Sequence, residues 1–262
     1  MGINMKSHEN HGELIMRLAR TDFKLRYHGS TLGYVWAIVK PLLLFTILNF
    51  VFSSIFNFRN SGIPFYSLQL LTAILLFGFF SEGTVSGMTS LLSKSQLVTK
   101  TYVPRWTIVI ASTLNALFVF GMNMIILAFF FIVYNKMPSL AGIGMFLIYV
   151  ACLYALIVAF SFLTAPIFVR FRDLSMIWEV LLSIIMYSAP IIYPLSLIPA
   201  HLQKFLLLNP VGFIIHYTKE ALILNSFPPP WQFVFLIGGI AFSGGAAFLV
   251  YCKLERKVAE YI

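Results

Sequence analysis

Charge is scarce in this chain. Asp, Glu, Lys and Arg make up 10% of its 262 residues, where an ordinary soluble domain carries roughly 25%. With 60% of residues apolar and 16% aromatic, a water-soluble fold of this size is excluded. Cysteine is nearly absent: Cys152 lies inside one apolar run and Cys252 at the end of another. Two thiols supply neither a disulfide framework nor a thiolate metal site, and both read as buried packing residues. The nine acidic residues stand singly, which leaves no carboxylate cluster for metal-assisted phosphate chemistry. The five histidines (His8, His11, His28, His201 and His216) show no metal-ligand spacing. No G-x-x-x-x-G-K-[ST] loop occurs, so the chain does not bind and split ATP as a P-loop enzyme does. The first 30 residues hold no apolar core of a signal peptide, and the N-terminal segment is expected to be retained.

What is present is a series of apolar runs long enough to cross a hydrocarbon layer of roughly 30 Å. We read six spans, at 33–56, 66–89, 107–134, 143–168, 175–193 and 231–252, separated by polar or proline-rich breaks. The net charge of +9 does not point to nucleic acid, because Lys and Arg punctuate the hydrophobic segments instead of gathering on one exposed face. Alternate breaks carry most of the basic residues. One set comprises Lys6, Arg17, Arg20, Lys24, Arg26, Lys94, Lys100, Arg105, Arg170, Arg172, Lys253, Arg256 and Lys257; the other holds only Arg59, Lys136, Lys204 and Lys219. This asymmetry predicts that both termini lie in the cytoplasm.

Between the fifth and sixth spans, Val211 to Leu224 is apolar but holds Lys219 and Glu220 and is too short to cross. Two short helices, about 200–208 and 211–225, are expected to dip into the outer leaflet and return, covering a cavity or pathway. Before the first span, Leu14, Ile15, Leu18, Ala19 and Phe23 fall on one helical face, with Glu13, Arg17, Arg20 and Lys24 on the other. This reads as an amphipathic helix in the inner interface; Asp22, on the apolar side, weakens the pattern. A solvated leader that only sets orientation is the alternative.

Several residues invite function. Glu82 sits inside the second apolar run, where an ionisable group must face the bundle interior or water; it is either a structural hydrogen-bonding group or a pathway residue. Gly83 and Gly87 make a small-x-x-x-small step suited to close helix packing. The 27 Phe, 12 Tyr and 4 Trp are in part belt or lipid-facing residues. Tyr34, Trp36, Trp178, Tyr187 and Tyr193 join a flat apolar face to a polar tip. The basic stretch from Ser93 to Arg105 is either an orientation anchor or a stiff element that seats on a partner, and Arg170, Arg172 and Asp173 pose the same choice.

Asp22-Phe23-Lys24-Leu25-Arg26-Tyr27, Ser30, Leu32-Gly33, Trp36 and Pro41 resemble the start of the permease subunit of ABC-2 type exporters of cell-surface polysaccharides, the Wzm-type O-antigen, capsule and teichoic-acid permeases. The likeness continues through Lys100-Thr101-Tyr102-Val103-Pro104-Arg105, Arg172-Asp173-Leu174, Ser188-Ala189-Pro190-Ile191-Ile192-Tyr193, Asn209-Pro210 and the charged tail from Leu254 to Glu260. Departures are Thr21 where the family usually has Arg, Val103 where Phe is common, and Lys40 where a small or amide residue is usual.

The resemblance implies an all-α polytopic membrane protein, a single transmembrane domain over 1–262. Residues 1–32 would form the cytoplasmic and interface part, 33–252 the six-helix membrane region with its re-entrant outer hairpin, and 253–262 a cytoplasmic tail. It implies no catalytic residue, metal or cofactor in this chain, with ATP and Mg on a separate ATPase subunit present in two copies beside a homodimer of the permease. Expected ATPase contacts are Lys94, Gln96, Lys100, Tyr102, Pro104, Arg105, Arg172 and Asp173. The interface helix would use Arg17, Arg20, Lys24, Arg26 and Tyr27, and the pathway Tyr34, Trp36, Glu82, Trp178, Tyr187 and Tyr193. The expected cargo is a lipid-linked O-antigen-type glycan crossing the bacterial inner membrane. Export of teichoic acid, capsule or a small drug or lipid, and more distantly glycolipid processing by a membrane-embedded enzyme, are the alternatives.

Overall fold

The computed structural model describes residues 11–27, 29, 32–56, 58, 63–100 and 103–261, and every regular element among them is helical. In chain order these are α1 (His11–Tyr27), α2 (Val35–Asn49, continued by a π-helical turn at Phe50–Ile55), α3 (Tyr66–Ser93), α4 (Ser95–Lys100), α5 (Arg105–Val133), α6 (Leu140–Arg170), α7 (Leu174–Ser188), a 3-10 turn (Leu195–Leu197), α8 (Ala200–Leu208), α9 (Pro210–Lys219, continued by a π-helical turn at Glu220–Leu224) and α10 (Pro230–Tyr261).

Local chemistry sets the helix ends. The Ser139 hydroxyl accepts the Gly142 N–H at 3.0 Å and caps α6. Asn209 caps α9 by accepting the Val211 N–H at 3.0 Å, with Pro210 in the first turn, where its missing N–H costs nothing. Asn225, at φ 55°, ends the π-helical turn of α9 in the left-handed conformation that Asn tolerates.

Helix α3 is the axis of the bundle. Every residue from Tyr66 to Leu76 is buried, with α5 and α6 packed against it, α10 against α6, and α1 laid along α5. The two small residues make the α3–α6 approach possible. A Cβ on Gly87 would stand 1.9 Å from Ser161 Oγ, and one on Gly83 would stand 2.7 Å from Ile157 Cγ2. The step therefore serves packing within one chain. Helix α2 is the outlier, with only Ala37 and Phe45 buried.

Among the described residues, five helices are long and apolar enough to cross a membrane: Val35–Ile55, Tyr66–Ser93, Arg105–Val133, Leu140–Arg170 and Pro230–Glu255. These coincide with five of the six expected spans, and the chain is a multi-pass membrane protein. For the span expected at 175–193 it is the helical extent that is corrected, since α7 ends at Ser188. Helix α7 has 15 residues, about 22 Å at the α-helical rise and short of a hydrocarbon layer. It stops because Ala189 precedes Pro190, whose ring disfavours helical backbone in the residue before it, and Ala189 is extended at ψ 151°. A second correction concerns the thiols. Cys152 is only half-buried and Cys252 is exposed, because α10 covers α6 with one face and leaves the other open.

Candidate functional site

At the end of the bundle formed by α1 and α4, the amphipathic pattern gains partners. Ala19 is fully buried, and the Phe23 ring stacks on Tyr34 at 5.1 Å and meets Phe118 of α5 edge-on at 6.0 Å. Asp22, which spoils the apolar stripe, forms an ion pair with Lys94, and the same ammonium donates to Ser112 Oγ at 3.0 Å. Arg17 and Glu13 pair on the exposed face at 2.6 Å, and Arg20 and Lys24 are exposed beside them. Arg26 turns inward and forms an ion pair with Glu82 of α3.

That pair lines a cleft of about 700 Å³ between α2, α3 and α5. Arg26, Trp36, Lys40, Ser81, Glu82, Ser86 and Asn123 supply its polar or amphipathic lining, and Met186 and Ile191 also line it. Of the expected pathway residues, the cleft brings together Trp36 and Glu82. Tyr34 is exposed against Phe23. Trp178 is buried: its ring stacks on Phe160 at 3.9 Å and its indole N–H donates to Thr84 Oγ1 at 3.0 Å. Tyr187 is exposed, and the half-buried Tyr193 hydroxyl donates to the Tyr187 and Ser188 carbonyls at 2.8 and 3.2 Å. None of these last three lines the cleft.

The expected ATPase contacts divide as well. Lys94 points inward, as described. Gln96 is exposed on α4, and Lys100 closes that helix. Tyr102 lies outside the described residues. Pro104 caps α5, and Arg105 donates to the Glu255 carbonyl of α10. Arg172 and Asp173 are exposed in the turn before α7. Tyr27 is the last residue of α1.

At the opposite end, the Ala189–Ile192 segment is buried, and side chains take up its carbonyls. Lys219 Nζ donates to the Pro190 carbonyl at 2.5 Å, and the Tyr66 hydroxyl to that of Ile192 at 2.7 Å. Burial lowers Lys219 to about 8, against the pull of Glu220. Burial, with Lys219 nearby, lowers His216 to about 4. Helices α8 and α9 fall where the short pair is expected, and the turn after α9 meets α6 where Gly142 has room for no Cβ: the Ala221 carbonyl would lie 2.5 Å away.

Sequence reading passed over Asn123 and named Lys40 only as a departure from the family pattern, not as a lining residue. The available signal is the same one that marks Glu82, a charged or amide side chain inside an apolar run. Among the described residues, no three His, Cys, Asp or Glu side chains gather as metal ligands.

A family model described as ABC-2 type transporter matches residues 13–227. Two O-antigen export system permease proteins, both named RfbA and both from Klebsiella pneumoniae, are 25% identical over 252 and 253 residues, covering 95% of either chain. An O-antigen export system permease protein RfbA from Myxococcus xanthus is 25% identical over 200 residues, 76% of this chain and 75% of its own.

Proposed function

We propose a function from one premise: this chain belongs to the ABC-2 type transporter family. It is a transport subunit, the permease of an ATP-driven exporter of lipid-linked cell-surface polysaccharide of the O-antigen kind. The observation that carries this is the likeness to O-antigen export permeases along 95% of the chain. Membership implies an ABC ATPase partner, and ATP and Mg belong to that subunit. Two permease chains, each a single domain over 1–262, assemble with two ATPase chains in the bacterial inner membrane.

In this assembly α7 and the buried segment after it complete a sixth crossing, so that both termini are cytoplasmic, in keeping with the basic residues. Helix α1 lies in the inner interface with Arg17, Arg20 and Lys24 toward headgroups. Helix α4 seats on the ATPase through Gln96 and Lys100, with Tyr102, Pro104, Arg105, Arg172 and Asp173 as further contacts, while Lys94 holds that element to α1. The α8–α9 hairpin re-enters the outer leaflet and guards the exit. Glycan moves between the two permease copies along α2 and α7, where Tyr34, Trp36 and Tyr187 expose aromatic surface.

The test is depletion in the native host. Finished lipid-linked glycan then accumulates inside the cytoplasmic membrane and surface glycan disappears. Normal surface glycan after depletion overturns the reading.

A further inference from the structure

Among the described residues Lys219 is the one charged side chain that is buried, at 3% exposure. No carboxylate lies within 4.0 Å of it among those residues, and Glu220 acts on it only through space. Its Nζ donates to the Pro190 carbonyl at 2.5 Å. An ammonium has three N–H donors, so one carbonyl is thin compensation for the water it gives up. Burial accordingly lowers its pKa to about 8.

The acceptor belongs to the buried Ala189–Ile192 segment, where the helical ladder of α7 has already stopped. Two of its carbonyls are answered by side chains from other elements, that of Pro190 by Lys219 of α9 and that of Ile192 by Tyr66 of α3 at 2.7 Å. Ala189 and Pro190 also lie against the start of α9, where a Cβ on Gly212 would stand 3.6 and 3.5 Å from their side chains. Side-chain bonds of this kind break one at a time, whereas a helical ladder forms and melts cooperatively. If α9 and the segment part, both carbonyls lose their partners and the ammonium regains water.

We propose that Lys219 makes the outer exit proton-sensitive: with α9 seated on the segment after α7 the ammonium is dry, parting of the two hydrates it, and a bound proton favours the open form. The sign follows from linkage. The closed form holds the proton with a pKa of about 8, and a hydrated Lys219 returns toward the ordinary 10.5, so raising the pH above 8 favours closure. At neutral pH the closed exit carries an under-solvated charge and is poised to open. This names a regulation of the exit in the export reading and rests on the hairpin guarding it.

Other titratable groups share this end of the bundle. His216, Tyr217 and Glu220 flank Lys219 in its own element, and Tyr217 donates to Gln232 of α10 at 2.7 Å. Tyr66 comes from α3, Tyr149 and Cys152 from α6, and Tyr193 from the stretch after α7. His201 and Lys204 of α8 are exposed, and Lys136 sits over the Phe65 ring. His216, lowered to about 4, is neutral above pH 7. Substitution of Lys219 separates its titration from all the others.

The test is thiol labelling of Ile192→Cys with a methanethiosulfonate reagent, in the permease with its ATPase partner in phosphatidylcholine nanodiscs. Cys152→Ala and Cys252→Ser remove the native thiols, and Met137→Cys, at a position 70% exposed, gives the reference rate in a parallel protein. With Lys219 present, the relative rate should fall roughly tenfold between pH 8 and pH 9.5, as release of one proton on closure requires. It should stay within about twofold in Lys219→Met, which binds no proton, and in Lys219→Arg, which keeps its proton throughout. Tyr66→Phe should raise the relative rate about fivefold at every pH and keep the pH dependence, as loss of one carbonyl bond predicts. A flat profile with Lys219 present overturns the inference, and so does an equal slope in whichever Lys219 variant folds. An unchanged rate in Tyr66→Phe overturns the assignment of the segment as the part that moves. Labelling needs no glycan cargo and depletion does not depend on Lys219, so this inference and the export reading fail separately.

Discussion

Asp22 of α1 and Lys94, at the junction of α3 and α4, form an ion pair across 72 residues of chain, with side chains only 20% and 17% exposed. The pair joins the interface helix to the base of α4, the short helix assigned to the ATPase. Removing one partner leaves the other charge poorly solvated. Asp22→Asn and Lys94→Met should each lower stability by roughly 1.5–3 kcal/mol, the range for a hydrogen bond to a charged group. The exchanged pair Asp22→Lys with Lys94→Asp should recover part of that loss. Thermal unfolding in detergent of wild type, the two single variants and the Asp22→Asn/Lys94→Met double variant measures the coupling, and additive single effects would show that the pair contributes nothing.

Gly87 faces Ser161 so closely that a methyl group has no place. Gly87→Ala should cost about 1–3 kcal/mol, as overpacking does, and Ser161→Ala in the same chain should not fully relieve it, because Thr113 Cγ2 would still lie 2.9 Å from the new carbon. Gly121→Ala is the control, since nothing lies within 4 Å of its Cβ position. Yield and melting temperature of the purified proteins check the ranking. Equal behaviour of the Gly87 and Gly121 variants would mean that the α3–α6 contact is looser than described.

The long helices were legible because each apolar run exceeds bilayer thickness and needs no knowledge of its neighbours. Two features were misread, one of them readable and one not. Apolar content carried the expected fifth span to residue 193, although Ala189 before Pro190 already announced the stop. Asp22 looked like a flaw in the amphipathic pattern because its justification, Lys94, lies 72 residues away and spacing carries no trace of it. Glu82 could be recognised from its apolar surroundings, but its partner Arg26 lies 56 residues earlier. The cleft was illegible for a different reason: it depends on how loosely α2 packs, and an apolar helix looks the same in sequence whether it faces protein or lipid.

His216 supplies a pH dependence. Burial, aided by the charge on Lys219, lowers its pKa from 6.5 to about 4 in the folded chain. Between those values the unfolded chain binds the extra proton, so stability falls as pH drops from about 6.5 toward 4. Neighbouring groups titrate too. Glu220 is raised by burial and lowered in part by Lys219, while Lys219, at about 8, stays protonated through the window. Comparing wild type with His216→Gln isolates the histidine. The wild-type melting temperature should fall relative to the variant on acidification from pH 7 to 4.5, and a constant difference would remove His216 as the cause.

Trp178 separates a packing role from a pathway role. Its indole N–H reaches Thr84 and its ring lies on Phe160, so α7 is pinned to α3 and α6 by this side chain. Trp178→Phe keeps much of the stacking and loses the hydrogen bond, which should cost roughly 1 kcal/mol. Thr84→Val should cost a similar amount by removing the acceptor, and the double variant should be less destabilised than the sum of the two, since only one bond is lost. A pathway residue would behave otherwise: Trp178→Phe would slow glycan export with melting temperature unchanged, and Thr84→Val would have no matching effect. Melting curves and surface-glycan output of the three variants, taken on the same preparations and strains, decide between the two roles.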